Sequence, residues 1–209
     1  MIILSHRGYW KNLYEQNQKV AFKRSFDLGF GTEADLRDAD GKIVISHDMA
    51  NGSEIFFEEV LQIMNGRNLM LALNIKADGL VDIIMETLAK YGHTNYFNFD
   101  MSIPDMVFQM KKNAVVFTGF SDILQTPVLF DKAAGVWLDC FNSDWYNADT
   151  IDELIIAGKS VCIVSADLHK RDKDAQWKII KKCKNLNSQN LMICTDYPEK
   201  AKEYFYGKN

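Results

Sequence analysis

Leu69-Met-Leu-Ala-Leu-Asn-Ile-Lys76, then residues 79–91, then Tyr96-Phe-Asn-Phe-Asp100 form the stretch on which the fold turns. The first segment is a continuous apolar run of strand length that becomes polar at its C-terminal end, at Asn74 and Lys76. The second reads as an amphipathic helix closed by Gly92. The third returns to a strand and ends on an acid. A strand, a helix and a strand in close succession make a parallel unit, because the helix carries the chain back to the start of the sheet.

The same alternation runs outward in both directions. Upstream, residues 2–5 read as a strand, 18–28 as a helix stopped by Gly29, and the segment around Glu33 and Asp35 as a second strand. It turns at Asp38-Ala-Asp-Gly41 into residues 42–46, and 55–64 form a helix ending at Asn65-Gly66. Downstream, strands are expected at 114–118, 135–139, 160–164 and 191–194, and helices at 104–112, 150–157, 174–183 and 199–206. Residues 122–132 are ambiguous because Pro127 interrupts them. Counting the Glu33 segment and residues 42–46 as one bent or hairpin unit leaves eight core strands. Polar residues recur at strand C-terminal ends: His6, Glu33, Asp35, Asn74, Lys76, Asp100, Asp139 and Asp196. That is the end where barrels of alternating strands and helices carry their chemistry. The expected fold is therefore α/β, a compact single-domain (β/α)8 TIM-type barrel over 1–209. A doubly wound open sheet is the competitor, and the spread of polar strand ends along the whole chain favours closure.

Bulk properties set limits on function. The 209 residues, 47% apolar and 25% charged with three prolines, have an ordinary globular composition and enough chain for a full core. A net charge of -4 argues against a general binder of nucleic acid or anionic membrane. Cys140, Cys162, Cys183 and Cys194 show no CxxC pair and no zinc-ligand spacing, so they read as buried free thiols in a reducing compartment. No apolar stretch approaches the ~20 residues of a membrane span, and the N-terminal apolar run is too short for a signal-peptide core. The expected location is cytoplasmic, with oligomeric state open.

The chemistry concentrates around Glu33 and Asp35. At i and i+2 on a strand their side chains share a face, and two adjacent carboxylates need a cation between them. Oxygen-only ligands favour one hard divalent cation, Mg2+ or Ca2+, over zinc. The bland alternative is a solvent-facing pair at a frayed edge. His6 and His47, each ending a strand, suit a general acid and base. Arg7 and Lys76 are cations at the same end and suggest an anionic substrate such as a phosphate. Asp139 suits either a substrate hydroxyl or a structural hydrogen bond. Trp145 and Tyr146 read as exposed loop aromatics, and His93 and His169 as surface residues.

Beyond these physical readings, His6-Arg7-Gly8, Asn17 with Ala21-Phe22, Gly31-Thr-Glu33-Ala-Asp35, and Asp40-Gly41 with His47-Asp48 resemble the glycerophosphodiester phosphodiesterase family. Thr195-Asp196-Tyr-Pro198 is similar to that family's last strand-to-helix turn. The resemblance implies a triosephosphate-isomerase-type barrel and metal-dependent hydrolysis of a small glycerol- or polyol-phosphodiester. It makes His6 and His47 the acid/base pair, Glu33 and Asp35 metal ligands, and Arg7 and Lys76 the phosphate-binding cations. It also implies initial attack by a substrate hydroxyl to give a cyclic phosphate, opened later by water. Two departures stand out. Asn74 takes the place of the family's usual third metal-ligand Glu, which predicts weaker metal binding or a third ligand drawn from Asp100 or Asp139. The family's Pro-Glu-Asn-Thr segment is here Glu15-Gln16-Asn17-Gln18. The alternatives are a barrel that binds a phosphodiester or sugar phosphate without turnover, and a lyase or transferase that stops at the cyclic phosphate.

Overall fold

The structure, a computed structural model, describes residues 1–207. Its elements run β1 (Ile2–Ser5), α1 (Lys19–Asp27), β2 (Gly31–Ala39), β3 (Lys42–Ile45), α2 (Phe57–Met64), β4 (Leu71–Ile75), α3 (Val81–Lys90), β5 (Tyr96–Phe99), α4 (Ile103–Lys111), β6 (Phe117–Phe120), β7 (Gly135–Leu138), α5 (Ala148–Ile156), β8 (Ser160–Val164), α6 (Lys173–Ile180), β9 (Leu191–Thr195) and α7 (Pro198–Tyr206). The strands hydrogen-bond in the order β5-β4-β2-β1-β9-β8-β7-β6, with β3 paired off that path to β2. Strand–helix alternation with this order of neighbours is the (β/α)8 TIM-type class. The chain divides into two compact units, Ser5–Val116 and Met1–Leu4 with the chain from Phe117 onward.

In the unit Ser5–Val116, β2 pairs parallel with β4 and antiparallel with β3, and β4 pairs parallel with β5. The period of two sorts the side chains. Ala34 and Leu36 of β2 and Leu71, Leu73 and Ile75 of β4 join Phe22 and Phe26 of α1, Val60, Leu61 and Met64 of α2, and Ile84 and Leu88 of α3 in one buried core. Glu33, Asp35, Ala72 and Asn74 are therefore turned to the opposite face. The helices begin and end for local reasons. Ser102 caps α4 by accepting from the Asp105 N–H at 3.3 Å, with Pro104 in the first turn, and α2 stops at Asn65 in the left-handed conformation, φ 50°.

In the second unit, β6, β7, β8 and β9 pair in parallel in that order. Asn147 caps α5, accepting from the Thr150 N–H at 3.0 Å. All four cysteines are buried and free, as expected. One expectation needs correction, and one ambiguity is resolved. The sixth strand runs over Phe117–Phe120 rather than 114–118, because Val116 makes only an isolated bridge to Asn98 and the ladder with β7 begins at Phe117. Residues 122–132 form no helix; the chain turns there, with Leu129 left-handed at φ 53° two residues after Pro127. Among the described residues no helix is long and apolar enough to cross a membrane.

Candidate functional site

Seven of the eight residues singled out for chemistry fall in the unit Ser5–Val116: His6, Arg7, Glu33, Asp35, His47, Asn74 and Lys76. Glu33 and Asp35 are buried at 2% and 0% exposure, which excludes the frayed-edge alternative. The β2–β4 register sets Asp35 directly beside Asn74, and Lys76 follows the last residue of β4 with its N–H donated to Leu36 O at 2.9 Å.

The turn after β1 brings the next groups in. Arg7 and Gly8 are both left-handed, φ 56° and 78°. Gly8 must be glycine, because a Cβ there would lie 2.7 Å from Ala21 Cβ and 2.9 Å from Phe22 N. Arg7 has no such excuse, and a non-glycine residue at positive φ stores strain that the surroundings must hold. They do so with three bonds. The Arg7 N–H donates to Glu33 Oε2 at 3.1 Å, the Gly8 N–H to Thr32 Oγ1 at 3.0 Å, and the Asn17 N–H to Arg7 O at 2.9 Å.

Asp35 is the hub. Its Oδ2 takes Arg7 Nε at 2.9 Å and the Asn17 Nδ2 donor at 2.9 Å, and Lys76 Nζ lies 3.3 Å from its Oδ1. Burial alone raises the Asp35 pKa, but the charges of Arg7 and Lys76 and the Asn17 hydrogen bond outweigh it and hold Asp35 below its ordinary value. Glu33 goes the other way. Burial first, and the Asp35 charge second, push it up to about 7. One carboxylate is thus held ionised while its neighbour keeps its proton up to about neutral pH.

Three oxygens around Asp35 are buried without a hydrogen bond: Asp35 Oδ1, Asn74 Oδ1 and Asn17 Oδ1. A buried unsatisfied oxygen costs about 1–3 kcal/mol, and these lie beside two carboxylates, so together they are oxygens that could ligate a hard cation. Among the described residues no group of three or more His, Cys, Asp or Glu is arranged to hold an ion. The donor set that fits one here is two carboxylates plus an amide oxygen, Glu33, Asp35 and Asn74.

His6 Nε2 lies 4.0 Å from Glu33 Oε2. His47 follows β3, whose end is pinned by the Ser46 N–H donated to Asp35 O at 2.9 Å. The imidazole of His47 is half-exposed and lies 2.9 Å, through Nδ1, from Asp48 Oδ1, and its charge contributes to lowering Asp35. Asn17 was visible in the sequence only as part of a resemblance. Its grip on Asp35 is long-range, so no local pattern announces it. Asp100, one alternative third ligand, is exposed just past β5. Asp139, the other, lies in the second unit, where its Oδ1 is taken up by the Cys140 N–H at 2.7 Å and His169 Nε2 at 2.6 Å. His169 is accordingly a paired histidine rather than a free surface one. His93 is not on the surface either, at 5% exposure, with its Nε2 3.1 Å from Asn95 O. Tyr146 is buried too, its hydroxyl accepting from Gln176 Nε2 at 2.7 Å, and Trp145 donates to Asp139 O.

No protein-family model and no curated protein matches the sequence. Solved structures do match the fold. A glycerophosphodiester phosphodiesterase from Agrobacterium tumefaciens superposes with a TM-score of 0.68 at 14% identity, over 98% of this chain and 97% of that one. A phosphodiesterase from Oleispira antarctica, solved with the product sn-glycerol-3-phosphate, gives 0.66 at 13% identity over 98% and 96%. A glycerophosphoryl diester phosphodiesterase from Parabacteroides distasonis gives 0.69 at 15% identity over 97% and 85%. At these identities the likeness establishes the fold.

Proposed function

We propose that this chain is a metal-dependent phosphodiesterase that hydrolyses a small glycerol- or polyol-phosphodiester to an alcohol and a phosphomonoester. The observation that carries the reading is the cluster of buried oxygens without hydrogen bonds around Asp35, set among His6, Arg7 and Lys76 within one unit. The three structural neighbours described above, all phosphodiesterases, support it. Glu33, Asp35 and Asn74 are the residues that would hold Mg2+ or Ca2+. A bound divalent ion would supply positive charge against the phosphate oxygens. Arg7 and Lys76 add fixed positive charge for the same anion. His6 and His47 exchange protons with the attacking and leaving oxygens. Asn17 and the Arg7 turn hold Asp35 and Arg7 in place for that task. The four buried free thiols suit a reducing compartment, and we place the protein in the cytoplasm.

The test is turnover of glycerophosphodiesters and a chromogenic phosphodiester, comparing EDTA with Mg2+, Ca2+ and Mn2+. Turnover abolished by EDTA and restored by an ion supports the reading, and recovery of the opened monoester separates hydrolysis from a lyase that stops at the cyclic phosphate. A folded protein inactive with every ion rejects it. One observation favours a second reading, a barrel that binds a phosphodiester without turnover. Asn74 brings no charge, and Asp35 is already neutralised by Arg7 and Lys76.

A further inference from the structure

We propose that Lys76 is a resident cation on Asp35 which a divalent ion displaces, and that the released ammonium then joins Arg7 to bind the phosphate, so that ion and anion bind cooperatively. This rests on the reading of Glu33, Asp35 and Asn74 as an ion site.

The two oxygens of Asp35 are not equivalent. Oδ2 accepts the Asn17 amide hydrogen bond at 2.9 Å and is ion-paired, outside hydrogen-bond geometry, with Arg7 Nε at 2.9 Å. Oδ1 has Lys76 Nζ at 3.3 Å and no hydrogen bond. An ion that ligates Asp35 must therefore use Oδ1, where it meets the ammonium. A divalent cation and an ammonium cannot share one carboxylate oxygen in a buried site, because the like-charge repulsion is poorly screened there.

The two cations also differ in freedom. Arg7 is tied through its own N–H to Glu33 and through its carbonyl to Asn17. Lys76 is tied through its backbone N–H to Leu36 O, but its side chain is held only by the longer 3.3 Å pair with Asp35, against 2.9 Å for Arg7; the two side chains are similarly exposed, 19% and 21%. A flexible four-carbon stem with a route to solvent is the part that yields. In the ion-free state the Lys76 charge is spent on Asp35 and is not available to an anion. Once an ion takes Oδ1, the ammonium needs a new counter-charge, and a phosphate oxygen supplies it. The coupling is reciprocal by linkage, so phosphate must tighten the ion by the same factor.

The experiment counts free Mn2+ by electron paramagnetic resonance in titrations of the whole chain, with and without inorganic phosphate. A protein-free control subtracts the ion's own association with phosphate. In the wild-type chain phosphate should tighten Mn2+ by about tenfold, and Mn2+ should tighten phosphate equally. Lys76→Met should bind Mn2+ more tightly than wild type in the absence of phosphate and lose most of the coupling. The reciprocal wild-type measurement needs no variant, so a misfolded Lys76→Met leaves the proposal testable. Mn2+ bound with the same affinity with and without phosphate overturns the inference while leaving the ion site standing. Coupling unchanged in a folded Lys76→Met overturns the role of the lysine. No Mn2+ binding by either protein overturns both the ion site and the inference built on it.

Discussion

Glu33→Gln isolates the cost of holding two carboxylates side by side. The carboxyl of Glu33 is pushed from an ordinary value of 4.5 to about 7 by burial and by the Asp35 charge. In the interval between those values the folded chain keeps a proton that the unfolded chain has released. Stability from this group is therefore fully present at low pH and is lost as pH rises through about 7. Between about pH 5.5 and about pH 8 the loss is about 2 kcal/mol. For a chain of this size that corresponds to a fall of about 4–8 °C in Tm. The glutamine keeps an oxygen to accept the Arg7 N–H, so the turn after β1 survives, but it has no charge to titrate. Thermal unfolding followed by circular dichroism in EDTA, at both pH values, should show this fall in wild type beyond whatever Glu33→Gln shows. A divalent ion at about a hundred times its Kd adds about 2.7 kcal/mol, and its effect should be larger at the higher pH, where no proton competes for Glu33. Parallel pH profiles for the two proteins would refute the reasoning, because they would mean that Glu33 is ionised in the fold throughout.

Other consequences are open to direct measurement. His6→Ala and His47→Ala should each lower phosphodiester turnover by ~10²–10⁴ with circular dichroism unchanged, and near-normal turnover in either variant removes that histidine from the acid/base role. Phe22, fully buried where α1 meets β2 and α2, should cost about 3–5 kcal/mol as Phe22→Ala in urea unfolding; a loss under about 1 kcal/mol would mean that this core is not tightly packed around it. His93, whose pKa is lowered by burial below its ordinary 6.5, takes up its proton in the unfolded chain before it does in the fold, so its contribution to stability is present above 6.5 and is lost as pH falls below that through the lowered folded value. His93→Gln should flatten that acid-side decline in urea midpoints, and an unchanged decline would assign it to other groups.

Much of the fold is legible in one dimension because its signals are local. The apolar run 69–76, the helix before Gly92 and the strand at 96–99 are set by periods of two and 3.6 residues and by terminating glycines, and the structure places β4, α3 and β5 there. The same-face pair of Glu33 and Asp35 is legible for the same reason, since two residues apart on a strand means one side of the sheet. The sixth strand slipped in the sequence reading because an apolar run does not say which neighbour it pairs with. Val116 bridges to Asn98, whereas the ladder that defines β6 starts with Phe117.

What the sequence determined by itself is the alternation of strands and helices, the face on which the two acids lie, and the gathering of acidic, basic and imidazole side chains at strand ends. Only the tertiary structure decided how those charges are shared. Asp35 is neutralised by Arg7 and Lys76 and held by Asn17, Glu33 is left to be raised, and Asn74 stands beside Asp35 with its oxygen unpartnered. Asp139 and His169 likewise find each other, and His93 and Tyr146 are buried rather than exposed. The physical reason is range. Secondary structure follows from neighbours along the chain, whereas the pKa, partner and burial of a side chain follow from neighbours in space, which strand register and turn geometry choose.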